Sequence, residues 1–149
     1  MRFLRALIVL AAAVAIAIVV LRVLFPLPSL EAREDSTRIT AATETTLGAA
    51  ILPSAEAQPG GSGTWPLADG REAFAARVLL ARAAEQSIDV QYYIWQRDTT
   101  GWILLDELRQ AAERGVRVRL LLDDNGIPGL DAELAALDAL PQVEVRLFN

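Results

Sequence analysis

The chain has 149 residues, a formal net charge of −5, no cysteine and no histidine, and its 14 basic residues are all arginine. This composition excludes disulfides, thiol nucleophiles, cysteine-ligated metal, a histidine base and a P-loop lysine, leaving Asp, Glu, Tyr, Ser and Thr for any chemistry. The acidic balance and the lack of a basic stripe argue against a nucleic-acid surface.

Arg2 and Arg5 precede residues 6–21, which contain no polar side chain. At about 1.5 Å per residue that run is roughly 24 Å long, slightly short of a hydrocarbon core of about 30 Å. Arg22 can snorkel, which lets the span reach Phe25 or Leu27. Residues 1–28 are therefore expected to form a membrane anchor. A cleaved signal peptide is the rival reading, although Pro26 and Pro28 follow the run where a small-residue cleavage site belongs. A buried core helix is a third. The basic residues ahead of the span place the N-terminus in the cytoplasm and send the rest of the chain outward.

Residues 29–63 are rich in Ala, Thr, Ser, Glu, Pro and Gly and read as a linker, with a short helix expected at 40–51, ending near Pro53. The glycine cluster at 58–63 follows no strand and is not read as a phosphate-binding loop.

The globular part, 64–149, alternates helix and strand. Asp69 is a suitable N-cap for a helix over 71–86, with Phe74, Val78 and Ala81 on one face. Ile88, Val90, Tyr92 and Ile94 alternate with Asp89, Gln91, Tyr93 and Trp95, which predicts a strand over 88–95. Leu104, Leu105, Leu108, Ala111 and Ala112 share a helical stripe that Gly115 closes, with Glu107 and Arg114 expected on its exposed side. Residues 116–122 return to a strand, apolar on both faces near its end, as suits a buried parallel strand. Leu130, Leu134 and Leu137 mark a further helix ended by Pro141, and Val143, Val145 and Leu147 a third strand. Strand, helix, strand within so short a stretch is a βαβ unit, so the strands are expected to be parallel with 116–122 at or next to the centre. The fold class is α/β: an N-terminal membrane helix followed by a layered sheet.

Open α/β sheets bind ligands beyond the carboxyl ends of their strands. Asp123 and Asp124 are the sharpest signal there. Adjacent carboxylates can hold a divalent cation or act as acid and base, but two with no neighbouring His or Glu make too few ligands for a closed site. The plainer reading is that the pair shapes the loop and that Asp124 or Asn125 caps the next helix. Tyr93 and Trp95 either line a pocket or belong to the sheet-face core. Asp89 is expected at the wet start of its strand. Arg117 and Arg119 share one strand face, where they either meet an anionic headgroup or snorkel over a covering helix.

Three blocks carry a family resemblance: Ala84-Glu-Gln-Ser-Ile-Asp-Val-Gln-Tyr-Tyr-Ile-Trp95, Ala112-Glu-Arg-Gly-Val-Arg-Val-Arg-Leu-Leu-Leu-Asp-Asp-Asn125 and Val143-Glu-Val-Arg-Leu-Phe-Asn149. With Pro66-Leu-Ala-Asp-Gly70 and Ala73-Phe-Ala-Ala-Arg77 they resemble the first half of a phospholipase D superfamily protein, in its bacterial cardiolipin synthase C-like branch. The resemblance spans roughly 47–149. It implies a phospholipase D-like sheet at the bacterial cytoplasmic membrane and phospholipid substrates of the phosphatidylglycerol type. It also implies metal-free chemistry without a cofactor: one histidine attacks phosphorus, a second protonates the leaving alcohol, and lysines hold the phosphate, from an H-x-K-x4-D motif in each half.

With no His and no Lys, neither motif is present and no catalytic residue of the family maps onto this chain. The expected function is thus the N-terminal portion of a membrane-associated phosphatidyltransferase that stops before its first motif, needs a second catalytic half and is inactive alone. Tyr93, Trp95, Asp123 and Asp124 are its pocket-lining candidates. The alternatives are a membrane-tethered binding module using the 123–126 loop and, more weakly, a metal-dependent hydrolase using Asp123 and Asp124. If residues 1–28 anchor the chain in the inferred direction, fusions after Gly63 will give active alkaline phosphatase and a silent cytoplasmic reporter. The reverse pattern contradicts the topology.

Overall fold

Period-two stretches build a three-stranded sheet, order β1-β2-β3, in the computed structural model, which describes residues 2–25, 35–40 and 42–149. Two compact units divide the chain, 1–37 and 38–149. In the first, α1 (Arg2–Leu24) is a helix of mean hydropathy 3.0 whose side chains are all exposed. Its 23 residues reach about 34 Å, enough by length and composition to cross a hydrocarbon core. The expected extension to Leu27 and the prolines at 26 and 28 lie outside the described residues.

The second unit opens with α2 (Thr46–Glu56). The sequence placed this helix at 40–51. It starts later because Thr45 is its cap, accepting a hydrogen bond from Gly48 N at 3.0 Å. It also runs through Pro53: the ring removes one donor, but Ala57 N still reaches Pro53 O at 3.2 Å. α3 (Gly70–Ala83) is capped as expected by Asp69, which accepts from Arg71 N at 2.9 Å and Glu72 N at 3.1 Å. It ends three residues short of the predicted Gln86.

β1 (Ser87–Tyr92), β2 (Arg117–Asp123) and β3 (Val143–Phe148) are parallel, with β2 in the centre. β1 stops at Tyr92, not at Trp95, because the chain leaves the ladder there and Trp95 N donates to Gly126 O at 3.0 Å. α4 (Thr99–Glu113) crosses from β1 to β2 and hands over through Gly115, whose φ of 91° is left-handed. α5 (Asp131–Asp138) crosses from β2 to β3. Its N-cap position holds Leu130 without a side-chain cap, so neither Asp124 nor Asn125 caps it.

One face of the sheet is the core. Val118, Leu120 and Leu122 are fully buried among Leu108, Ala111, Leu134 and Leu137 of the two crossover helices. Each such aliphatic side chain contributes about 1.5–3 kcal/mol on burial. The opposite face is polar. The register aligns Asp89, Arg119 and Glu144 across the three strands. Arg119 pairs with Asp89 at 2.6 Å and Arg146 with Glu144. Arg119 therefore does not snorkel over a helix; it spans two strands to a carboxylate that is both wet and paired. The guanidinium holds the Asp89 carboxyl below its usual range.

Glu107 also differs from expectation, whereas Arg114 is exposed as expected but is bonded as well as solvated. Glu107 is buried, and its carboxylate accepts two hydrogen bonds from Arg82 Nε, at 3.0 and 2.9 Å, and one from Arg82 Nη2. Arg114 Nη2 donates to the carbonyls of Ala81 and Arg82 at 2.9 and 3.1 Å, closing the C-terminus of α3. α4 thus has two packed sides, one on the sheet and one on α3. The Arg82 hydrogen bonds lower the Glu107 pKa, so the pair's contribution is present above the ordinary glutamate value of about 4.3 and is lost as pH falls through the depressed folded value. Glu107→Gln is expected to lower unfolding free energy at pH 7 by about 1–3 kcal/mol, measured by denaturant titration. The gap to the parent chain closes in acid; a gap constant from pH 7 to pH 2 contradicts the pairing.

Candidate functional site

Asp123 is the last residue of β2 and one of the most buried groups in the chain, 1% exposed. A carboxylate in that position must be satisfied by donors. Its Oδ1 accepts from Asn125 N at 2.8 Å, which starts the 3₁₀ turn Asp124–Gly126, and its Oδ2 accepts from Asn149 Nδ2 at 2.7 Å. Asp123 therefore ties the end of β2 to the residue that follows β3. Asp124 is exposed. The adjacent carboxylates thus occupy different environments, one spent on the fold and one in water. Among the described residues no group of three or more acidic side chains gathers to hold a metal ion.

The turn after β2 meets the loop after β1. A Cβ on Gly126 would lie 1.9 Å from Tyr93 O, so only glycine permits this approach. Trp95 is buried at 4% exposure and sets its ring edge-on to Tyr92, with centroids 4.9 Å apart. Tyr93 is 70% exposed. The two aromatic candidates are thus divided: Trp95 is core, and Tyr93 stands in solvent beyond the strand. Beside them Asp98 accepts from Gly101 N at 2.9 Å and from Thr100 Oγ1 at 2.7 Å, and these bonds lower its pKa. Arg97 pairs with Glu133 at 3.1 Å and lies 5.6 Å from the Trp102 ring centroid.

The carboxyl-end rim therefore gathers Tyr93, Trp95, Asp123 and Asp124 in neighbouring loops, but as a cross-braced surface. None of the four lines the groove of about 820 Å³ that runs along β1. That groove takes Arg38, Arg77, Leu47 and Ile51, none of which the sequence singled out for chemistry. No local pattern marks them, because the groove joins segments far apart in the chain.

No family model matches the chain. It is 56% identical over 103 residues, 69% of its length, to cardiolipin synthase C of Escherichia coli. The chain is a homologue of the cardiolipin synthases over this stretch. A cardiolipin synthase of Staphylococcus aureus is 45% identical over 94 residues, 54% of this chain and 19% of its own length. An uncharacterized protein of Helicobacter pylori is 38% identical over 105 residues. The chain spans about a fifth of these relatives: 22%, 19% and 21% of their lengths. Among solved structures, the archaeal chromatin protein TrmBL2 superposes over 68% of this chain and 40% of its own with a TM-score of 0.47 at 20% identity, too distant to bear on fold or function.

The two aspartates are separable by experiment. Asp123→Ala strands the Asn125 and Asn149 donors and is expected to cost about 1–3 kcal/mol in denaturant unfolding, whereas Asp124→Ala stays within about 0.5 kcal/mol. Calorimetry is expected to show no micromolar binding of Mg²⁺, Mn²⁺ or Ca²⁺. Micromolar binding that disappears in Asp123→Asn overturns this assignment.

Proposed function

We propose that the chain is the N-terminal, membrane-anchored part of a phospholipase D-like phosphatidyltransferase of the cardiolipin synthase kind, acting on phosphatidylglycerol-type lipids of the bacterial cytoplasmic membrane. The observation that carries this reading is the 56% identity to cardiolipin synthase C over 103 residues. The parallel sheet and the apolar α1 agree with it. In this reading residues 1–28 anchor, 29–63 tether, with α2 of that stretch folded into the second compact unit, and 64–149 form a partial phospholipase D-like domain on the outer side of the membrane.

The chain's own chemistry limits its role. Displacement at a phosphodiester by the family's route needs an imidazole nucleophile and a second imidazole as acid, and the chain contains no histidine. Arginine stays protonated at neutral pH and cannot shuttle protons. The Asp123 carboxylate is engaged by two donors. The 149 residues therefore act as a scaffold, and the reacting groups come from residues outside them. In this reading Tyr93, exposed at the rim, lines a cleft formed with those residues.

The test is an assay of the purified 149-residue chain on phosphatidylglycerol vesicles, following cardiolipin and phosphatidic acid by mass spectrometry. The expected result is no turnover above a protein-free control. Turnover that survives further purification, and is lost in Asp123→Asn or Tyr93→Phe, refutes the scaffold reading.

A further inference from the structure

The tryptophans divide unevenly between fold and solvent. Trp95 is buried in the core and Trp102 lies under the Arg97 guanidinium. Trp65 is 86% exposed, more than any other large apolar side chain among the described residues. It stands in the loop between α2 and α3, with Leu67, also exposed, two positions on. Residues 61–68 adopt no regular structure. No described residue reaches 62–68 through a hydrogen bond, ion pair or ring contact. The loop belongs to no strand, so its exposure is not that of an unpaired sheet edge.

Composition sets this loop apart from an ordinary solvated one. Residues 57–68 carry no charge, between Glu56 and Asp69. Gly60, with a left-handed φ of 79°, turns the chain out of α2. Pro66 removes one backbone donor and biases Trp65 toward extended backbone. An indole has an apolar ring and an N–H that needs an acceptor, and the headgroup level of a bilayer suits both. The chain itself brings such a surface within reach. Residues 25–37 lead from α1 to the second unit and, fully extended, span about 45 Å at most. With α1 in a bilayer, a contact too weak to hold alone becomes intramolecular and forms.

We propose that the loop 57–68 docks on the bilayer surface, with Trp65 and Leu67 as its apolar anchors at headgroup level. The contact depends on the anchoring of α1 proposed above and not on the phosphatidyl-transfer chemistry. Because the loop carries no charge, it needs no ion pairing with lipid and docks on zwitterionic membranes.

The chain's tryptophans are Trp65, Trp95 and Trp102, and α1 has none, so their emission reports the second unit alone. The test uses the full chain in phosphatidylcholine vesicles, in a Trp102→Phe background, with brominated phosphatidylcholine as the quencher. Flotation with the vesicles reads the anchor, and quenching reads the loop. Bromine near the headgroup end of the acyl chains is expected to quench strongly, and bromine near the bilayer centre weakly. Trp65→Ala is expected to remove most of the quenching. Leu67→Asp, which keeps the reporter, is expected to reduce it several-fold. Both variants are expected to float and to keep the parent's denaturant midpoint. A floating chain with unquenched Trp65 emission, or quenching that survives Trp65→Ala or Leu67→Asp, overturns the proposal. So does an emission blue shift that appears only at high protein-to-lipid ratio, the sign of contact with a second copy. A chain that does not float overturns the anchor and the loop contact with it, while the homology to the cardiolipin synthases stands on either result.

Discussion

A central parallel strand has neighbours on both sides, and its stability rests on covering what it points out of the sheet. β2 sets this condition for the whole unit. Val118, Leu120 and Leu122 require an apolar roof, which the crossover helices α4 and α5 supply, since right-handed crossovers in a sheet that grows in one direction, β1-β2-β3, fall on the same face. The other face meets the condition differently, by aligning Asp89, Arg119 and Glu144 so that charges neutralise one another across strands. The same strand then ends on Asp123, a buried carboxylate whose donors come from the adjacent turn and from the end of β3. The most apolar strand thus delivers the polar joint that organises the rim.

Much of this was legible in the sequence, for identifiable reasons. Period-two runs gave the strands, and the short strand-helix-strand spacing gave their parallel pairing with β2 central. Asp69 and Gly115 marked helix ends because caps are local chemistry. Alternation continued past Tyr92 to Trp95, but a strand lasts only while a partner accepts its hydrogen bonds, and at Trp95 that partner is a turn carbonyl. Glu107 was placed in water because a single helical stripe was assumed, whereas α4 packs on two sides and Arg82 makes the second habitable for a carboxylate. The hydrogen bond between Thr46 and Glu85 joins residues 39 positions apart and leaves no local signature. Of the site candidates, sequence brought Tyr93, Trp95, Asp123 and Asp124 to the correct end of the sheet. It could not divide them into buried braces and exposed groups, because that division depends on Gly126 and Asn149.

These features fit one division of labour. The stretch homologous to the cardiolipin synthases is rich in structural devices and poor in reactive groups. Its buried glutamate and many of its aspartates and arginines are engaged in ion pairs, helix caps and backbone hydrogen bonds. The proposed scaffold role suits that arrangement, since an unpaired buried charge beside a reaction centre would destabilise the fold and disturb the chemistry.

On the proposed function, this stretch is an interchangeable cardiolipin synthase scaffold without catalytic groups of its own. The most direct measurement replaces the homologous stretch of Escherichia coli cardiolipin synthase C with the one from this chain and quantifies cardiolipin, by mass spectrometry, in cells lacking their own synthases. The expected result is cardiolipin from the chimera and none from cells expressing the 149-residue chain alone. A stably expressed chimera that makes no cardiolipin, or cardiolipin from the chain alone, contradicts it.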